Sequence, residues 1–239
     1  MIFIGYSSQD RYTVVEPILF HLQKYGFKVW YDFDDMFLGD NRKIENFEKG
    51  IAGADYIIFI ISHSFFESPC AKEELDYAYE LVNKKGYILF SIFYKFLPSE
   101  LPEDYCWLRT YIFNEIKIDT GTRYATDQIV ERMVHDTLLK KRFQSFDALT
   151  SLPELEGYTK DLLLELNSVD IRNYGIRSGI LYALYVYLRN IRKEKQEANC
   201  EKAIIYILNQ SQFPLHDNHL IYSILEKSVI LFINHLFYD

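Results

Sequence analysis

The sequence predicts an α/β protein: five strands alternating with helices in a doubly wound parallel sheet over residues 1–142, then an all-α module over residues 146–239. Three observations carry this reading. Short β-like runs alternate with helically spaced apolar residues through the first half of the chain. The run Asp55-Tyr56-Ile57-Ile58-Phe59-Ile60-Ile61-Ser62 is apolar at consecutive positions, the pattern of a central parallel strand covered on both faces. After Lys140-Lys141-Arg142 no strand alternation remains, only helical spacing.

The elements follow in order. Residues 2–6 form a brief apolar run with a polar stop at Ser7-Ser8, the first strand. Val14, Val15, Ile18, Leu19 and Leu22 recur at helical spacing until Gly26. Residues 28–31 read as a second short strand, followed by an acidic loop through Gly39-Asp40. Ile44, Phe47 and Ile51 mark a second helix, ahead of the central strand. Ser68-Pro69 has the form of an N-cap with proline at the first helical position. Leu75, Ala78, Tyr79 and Val82 continue that helix to Gly86. Residues 87–93 form a fourth strand, a loop carries Pro98, Pro102 and Trp107, and 111–116 form the last edge strand. Val130, Met133, Val134 and Leu138 give a closing helix. Beyond it, Leu162 to Leu166, Ile180 to Ile191, Ala203 to Leu208 and Leu220 to Leu236 read as four helices. Gly157, Gly175, Asn199 and Pro214 fall at or near their breaks.

With 239 residues, 49% hydrophobic and 25% charged, the composition excludes disorder, collagen-like repeats and a small disulfide-stapled scaffold. A net charge of −8 leaves no global basic field, so neither nucleic acid nor an anionic membrane is an expected partner. Cys70, Cys106 and Cys200 are scattered and lack zinc spacing, which suits a reducing, cytoplasmic location and no metal. The N-terminal residues lack the basic region of a signal peptide, and the longest uncharged apolar stretch, 178–188, is too short to span a bilayer. The 20 Tyr and 18 Phe fill cores or build self-association surfaces. Tyr182, Tyr185 and Tyr187 form such a stripe, read as core or as packing against a second subunit.

Four segments, in order, carry a resemblance. They are Phe3-Ile4-Gly5-Tyr6-Ser7-Ser8-Gln9-Asp10, Gly26-Phe27-Lys28-Val29-Trp30-Tyr31-Asp32, Phe37-Leu38-Gly39-Asp40, and the stretch from Ile60-Ile61-Ser62 through Ser68-Pro69-Cys70-Ala71-Lys72-Glu73-Glu74-Leu75. Together they resemble a Toll/interleukin-1 receptor (TIR) domain of the bacterial immune type, over about residues 1–142. The resemblance implies a flavodoxin-like five-stranded sheet and, as in many members, cleavage of NAD⁺. It makes Glu74, followed by Leu75, the catalytic carboxylate, with Glu73 as the neighbouring candidate. The family's aromatic four positions earlier is replaced here by Cys70. Basic residues that some catalytic relatives carry after the first strand are replaced by Ser7 and Ser8. The loop 32–42, with Gly39 and Asp40, is the segment that in active members contacts a neighbouring domain and helps cover the nucleotide.

The chemistry is consistent with one carboxylate. The N-glycosidic bond of NAD⁺ joins ribose to a cationic pyridinium that leaves as neutral nicotinamide, so no general acid is required, where most glycosidases need two carboxyl groups. A single Glu beside an otherwise uncharged strand end can stabilise the oxocarbenium-like transition state. Tyr6, Ser7 and Ser8 stand at the carboxyl end of the first strand, where open α/β sheets bind ligands. Trp30 is expected to pack under the sheet and Asp32 to fix the following loop. The acids at 32, 34, 35 and 40 miss calcium-loop spacing, because Phe37 stands where that pattern needs glycine. No glycine-rich phosphate loop occurs. His63 reads as a loop residue, and His216, Asp217 and His219 as surface residues or caps.

These readings lead to an NAD⁺ glycohydrolase or cyclase that needs no cofactor, takes NAD⁺ as substrate, and acts in bacterial, antiphage defence. Self-association through the TIR domain and the helical module is expected, with an effector or sensor protein as a further partner. The rival reading is a non-catalytic TIR scaffold that signals by assembly, favoured by Cys70 and by the missing basic residues after Tyr6.

Overall fold

The computed structural model describes residues 1–117, 121–153, 155, 157–192, 198–210 and 219–239. Pro214, His216 and Asp217 lie outside the described residues. The chain divides into two compact units, residues 1–23 with 27–126, and residues 24–26 with 127–239.

The first unit is built on a five-stranded parallel sheet in the order β2-β1-β3-β4-β5. Its strands are β1 (Ile2–Gly5), β2 (Val29–Trp30), β3 (Tyr56–Ile61), β4 (Ile88–Tyr94) and β5 (Asn114–Ile116). Central β3 pairs with β1, Ile2 opposite Tyr56, and with β4, Tyr56 opposite Ile88. Its residues Ile57 to Ile61 are all fully buried, which is what the unbroken apolar run requires of a strand with helices on both faces. Phe3, Phe59, Phe65, Leu75, Ala78 and Phe93 belong to one core cluster of this unit.

The helices are α1 (Glu16–Lys24), α2 (Asp32–Asp35), α3 (His63–Glu67), α4 (Pro69–Lys85) and α5 (Gly121–Leu138). A π-helical turn, Arg11–Val15, leads into α1, and a π-helical segment, Lys43–Ile51, stands where a regular helix was expected. The Ser68 hydroxyl accepts from the Ala71 N–H at 3.3 Å with Pro69 at the first position, as the sequence predicts. Three short helices escape the sequence pattern, namely α2, α3 and α6 (Phe146–Thr150). Each is too short to show a period, although side-chain caps mark two of them: Ser62 accepts from Phe65 and Ser145 from Ala148. His63 is thus the first residue of α3, not a loop residue. β5 is shorter than expected because residues Glu103–Thr110 coil into 3₁₀ turns and Tyr111 N–H closes back on Leu108.

The second unit is helical: most of α5, then α6, α7 (Tyr158–Ser168), α8 (Tyr174–Ile191), α9 (Asn199–Leu208) and α10 (His219–Tyr238). His219 is exposed and opens α10. Of the tyrosine stripe only Tyr185 is buried, while Tyr182 is exposed. Buried Arg177 donates to the Leu166 and Val169 carbonyls at the end of α7, to the Tyr222 hydroxyl at 2.7 Å and to Glu226. With a mean hydropathy of 1.4 over its 18-residue window, α10 has the length and composition of a bilayer span. Glu226 and Lys227 interrupt its uncharged run without making the helix polar, so it lies outside the reading of uncharged stretches made from the sequence. Most of α10 is buried, including Leu225, Val229, Phe232 and Ile233, as in a core helix.

Candidate active site

Strand order 2-1-3-4-5 places the topological switch between β1 and β3, and ligands of open sheets bind beyond the carboxyl ends of such strands. The two loops meet there: the Ser62 hydroxyl, after β3, donates to the buried Asp10 carboxylate, after β1, at 2.6 Å.

Beside this crevice lies the most distinctive carboxylate of the unit. On α4, Ala71, Leu75, Ala78 and Leu81 form the buried stripe, and Glu74 falls on it at helical spacing, 7% exposed. Glu73, one position round the helix, is exposed and pairs with Arg42 at 3.0 Å and Lys43 at 3.7 Å. The two neighbours titrate in opposite directions. The hydrogen bond from Arg42 holds Glu73 below the usual carboxylate range. Burial pushes the Glu74 carboxyl up to about 7, against the downward pull of Arg42 and Asn46 and with a small upward push from Asp32.

Two side chains that the sequence reading missed, Arg42 and Asn46, bond Glu74, and a third, Trp30, bonds one of them. The Asn46 amide donates to Glu74 Oε1 at 2.8 Å, and Arg42 donates to the same oxygen at 3.3 Å. Arg42 also donates to the backbone carbonyl of Cys70 at 3.0 Å. Trp30, expected under the sheet, turns its indole N–H to Asn46 Oδ1 at 3.2 Å. The strand ends are therefore not uncharged around a lone Glu. Arg42 and Asn46 come from 32 and 28 residues upstream of Glu74, and no periodicity links them to it. The visible clue is a polar Asn46 next to Phe47 on an otherwise apolar inner face.

The predicted residues divide into two groups. Tyr6, with its ring buried and stacked on Tyr31 at 5.9 Å, donates to Asp32 at 2.5 Å, and the charge of Asp32 is felt at Glu74. Burial, reinforced by Asp32, keeps the Tyr6 phenol protonated well above its ordinary range. The Asp32 carboxylate, expected to fix the following loop, accepts instead from Tyr6 at the end of β1. Arg11, four residues beyond Ser7, donates to the Tyr6 hydroxyl at 3.3 Å and lies 4.4 Å from the Phe33 ring centre. It supplies a cation after β1 that Ser7 and Ser8 do not. Ser7 is buried and Ser8 exposed. Gly39 and Asp40 stand apart, on an exposed turn: Asp40 N–H donates to the Phe37 carbonyl at 3.0 Å, and its carboxylate accepts from Phe37 N–H at 2.8 Å. Gly39 has φ +102°, the left-handed third position of that turn. Cys70 is exposed, and its carbonyl accepts from Arg42. His63 is exposed and faces Glu100 and Phe96 instead. Among the described residues no group of three His, Cys, Asp or Glu could hold a metal ion.

The sheet order and a buried carboxylate beyond its strand ends define an open α/β domain with a ligand crevice. A family model described as TIR domain matches residues 2–122, and the chain belongs to the TIR-domain family. It is similar to "NAD(+) hydrolase TcpC" of Escherichia coli, 33% identical over 85 residues, covering 36% of this chain and 26% of that protein. It is also similar to "2′ cyclic ADP-D-ribose synthase BtTIR" of Bacteroides thetaiotaomicron, 34% identical over 74 residues, covering 31% and 25%. A third relative is "NAD(+) hydrolase PdTIR" of Paracoccus denitrificans, 27% identical over 129 residues, covering 54% and 41%. The matched segment spans between about a quarter and two fifths of the length of these relatives.

Proposed function

We propose that this chain cleaves the nicotinamide–ribose bond of NAD⁺, with Glu74 as the catalytic carboxylate. One observation carries the reading: a carboxylate on the inward stripe of α4, with two donors on one oxygen and burial holding its titration near 7. Most buried carboxyls are avoided or fully neutralised, so a perturbed one at a ligand crevice marks a functional site. The names of the TIR relatives add the substrate class.

The C–N bond breaks heterolytically, its electron pair leaving with nicotinamide, which becomes neutral. The ribosyl cation that develops is stabilised by ionised Glu74. Water captures it and releases a proton to give ADP-ribose; an internal nucleophile of the same molecule gives a cyclic isomer instead. Tyr6, Ser7 and Ser8 at the end of β1 and Cys70 at the start of α4 are the proposed nucleotide contacts, and the exposed turn of Gly39 and Asp40 joins them only by closing over bound NAD⁺, with no cofactor required. The TIR domain occupies residues 1–142, and residues 146–239 control its assembly in cytoplasmic antiphage signalling.

A second reading, a TIR scaffold that works by assembly alone, is favoured by the loop tip, where Phe37 is 76% exposed and Leu38 fully so. Nicotinamide release from NAD⁺ by the full chain, followed by chromatography, separates the two. Glu74→Gln keeps the shape and removes the charge, and is expected to lower turnover on the order of 10²–10³-fold. Wild-type turnover in Glu74→Gln with loss in Glu73→Gln moves the role by one residue. Loss in neither leaves the scaffold reading.

A further inference from the structure

We propose that Trp30 is a positioning residue for Glu74, its indole N–H fixing the Asn46 amide so that the NH₂ end donates to the carboxylate. The inference rests on Glu74 as the working carboxylate for its catalytic consequence, while the relay itself stands on geometry. Asn46 is 4% exposed, so neither end of its amide finds bulk water. The two ends are chemically opposite, one accepting and one donating, and similar in shape. The orientation must come from the neighbours. An indole nitrogen only donates, and Trp30 Nε1 lies 3.2 Å from one end of the amide, which must therefore be the oxygen. The NH₂ is then left facing Glu74 Oε1 at 2.8 Å. Turned over, the amide would set two donors against each other and a carbonyl against a carboxylate, losing both bonds.

The local fold is shaped around this relay. In the π-helical segment Lys43–Ile51 the buried residues are Asn46, Phe47, Gly50 and Ile51, so Asn46 and Gly50 share the inner side. A Cβ on Gly50 would stand 2.8 Å from Trp30 Nε1 and 2.9 Å from the adjacent ring carbon. Only glycine lets the indole reach Asn46 from that side. Arg42 reaches the same Glu74 oxygen from a side chain about a third exposed and shared with Glu73 and the Cys70 carbonyl. The Trp30–Asn46 bond is the part of the environment held by β2 and the core.

Carboxyl-carbon NMR of the full chain, ¹³C-labelled at glutamate and assigned with Glu74→Gln, reads the titration of Glu74 directly. A donor to the ionised form lowers its midpoint, so Asn46→Leu is expected to raise it by about one pH unit. Trp30→Phe keeps an aromatic ring and removes the N–H, and is expected to raise it as well. The Trp30→Phe/Asn46→Leu double variant should go no higher than Asn46→Leu alone, because Trp30 acts through Asn46. An unchanged midpoint in Trp30→Phe, or shifts that add in the double variant, overturns the relay. Should Trp30→Phe unfold, benzothienylalanine placed at position 30 keeps the indole shape without the N–H, and the same two outcomes apply. Nicotinamide release is measured in parallel. With a shifted midpoint, an inactive wild type sinks the NAD⁺ reading and leaves the relay standing.

Discussion

Adjacent glutamates in this chain have opposite physical fates. Glu73 is solvated and stabilised as an anion by Arg42, whereas Glu74 is desolvated and titrates near 7. Two predictions follow from that difference. The carboxylate form is the one that can stabilise a cation, so nicotinamide release should fall about tenfold per pH unit below 7 and level off above it. A pH profile of kcat/KM lacking an acid limb in that region would break the assignment. The second concerns stability. The ordinary carboxyl value is 4.5 and the folded value about 7, so the folded state binds the proton more tightly. That stabilisation is fully present below 4.5 and is lost as pH rises through 7. Above 7 the buried anion costs on the order of 3 kcal/mol. Glu74→Gln should therefore raise Tm at pH 8 by several degrees and leave it nearly unchanged at pH 4, as calorimetry at the two pH values would show. Equal shifts at both would mean that burial of charge is not the cause.

Among the elements, the segment from β2 to the end of the π-helical stretch decides the environment of Glu74. Gly39 has nothing within 4 Å of where a Cβ would be, so the penalty of a side chain there is backbone strain alone. Gly39→Pro cannot adopt φ +102° and should rebuild the exposed turn at a cost of at least about 1 kcal/mol, with the sheet intact. If the turn is the assembly contact, sedimentation and nicotinamide release should fall together; loss of neither would detach the turn from function. Legibility also varies by element. The continuous run of β3 and the Ser68-Pro69 cap were plain, because a doubly covered strand and a capped first turn leave unambiguous patterns. Ile44, Phe47 and Ile51 fit an ordinary helix, yet the inner face runs 46, 47, 50, 51. Spacing alone does not separate a π turn from an α turn when the face contains Asn and Gly. Glu74 was found through its motif context. Arg42 and Asn46 were not found as its partners, nor Trp30 as the partner of Asn46, since contacts across 16 to 32 residues leave no local signature.

For the whole molecule, the second unit is held partly by polar side chains that its apolar helices bury. Arg177, 6% exposed, spends its donors on the end of α7, on Tyr222 and on Glu226. Arg177→Met should destabilise that unit by roughly 3–5 kcal/mol, because Glu226 and two carbonyls lose their partner together. Helical circular dichroism on heating checks this, and a loss below about 1 kcal/mol would show the network to be dispensable. Ending the chain after Arg142 removes Ser223 and Lys227 from Glu131 of α5. The truncated protein is expected to lose solubility or melt several degrees lower. An unchanged melting temperature with altered assembly and nicotinamide release would assign residues 146–239 a purely regulatory part.

The sealed centre of the sheet has a consequence for how the protein is made. β3 presents five consecutive buried residues, Ile57 to Ile61, and both its partners run parallel to it. Parallel pairing needs a crossover, so β4 reaches β3 only after α3 and α4 have been synthesised. During that interval on the ribosome the run Tyr-Ile-Ile-Phe-Ile-Ile is an uncharged, proline-free, β-prone hexapeptide with one edge uncovered, the signature of a segment that nucleates aggregates. The flanking Asp55 and the polar Ser62-His63-Ser64 act as gatekeepers at its ends. Expression at high rate or temperature should fail first through this strand, and co-expressed chaperones should raise the soluble fraction, an effect that breaking the hexapeptide with a charge at half-buried Tyr56 would make unnecessary.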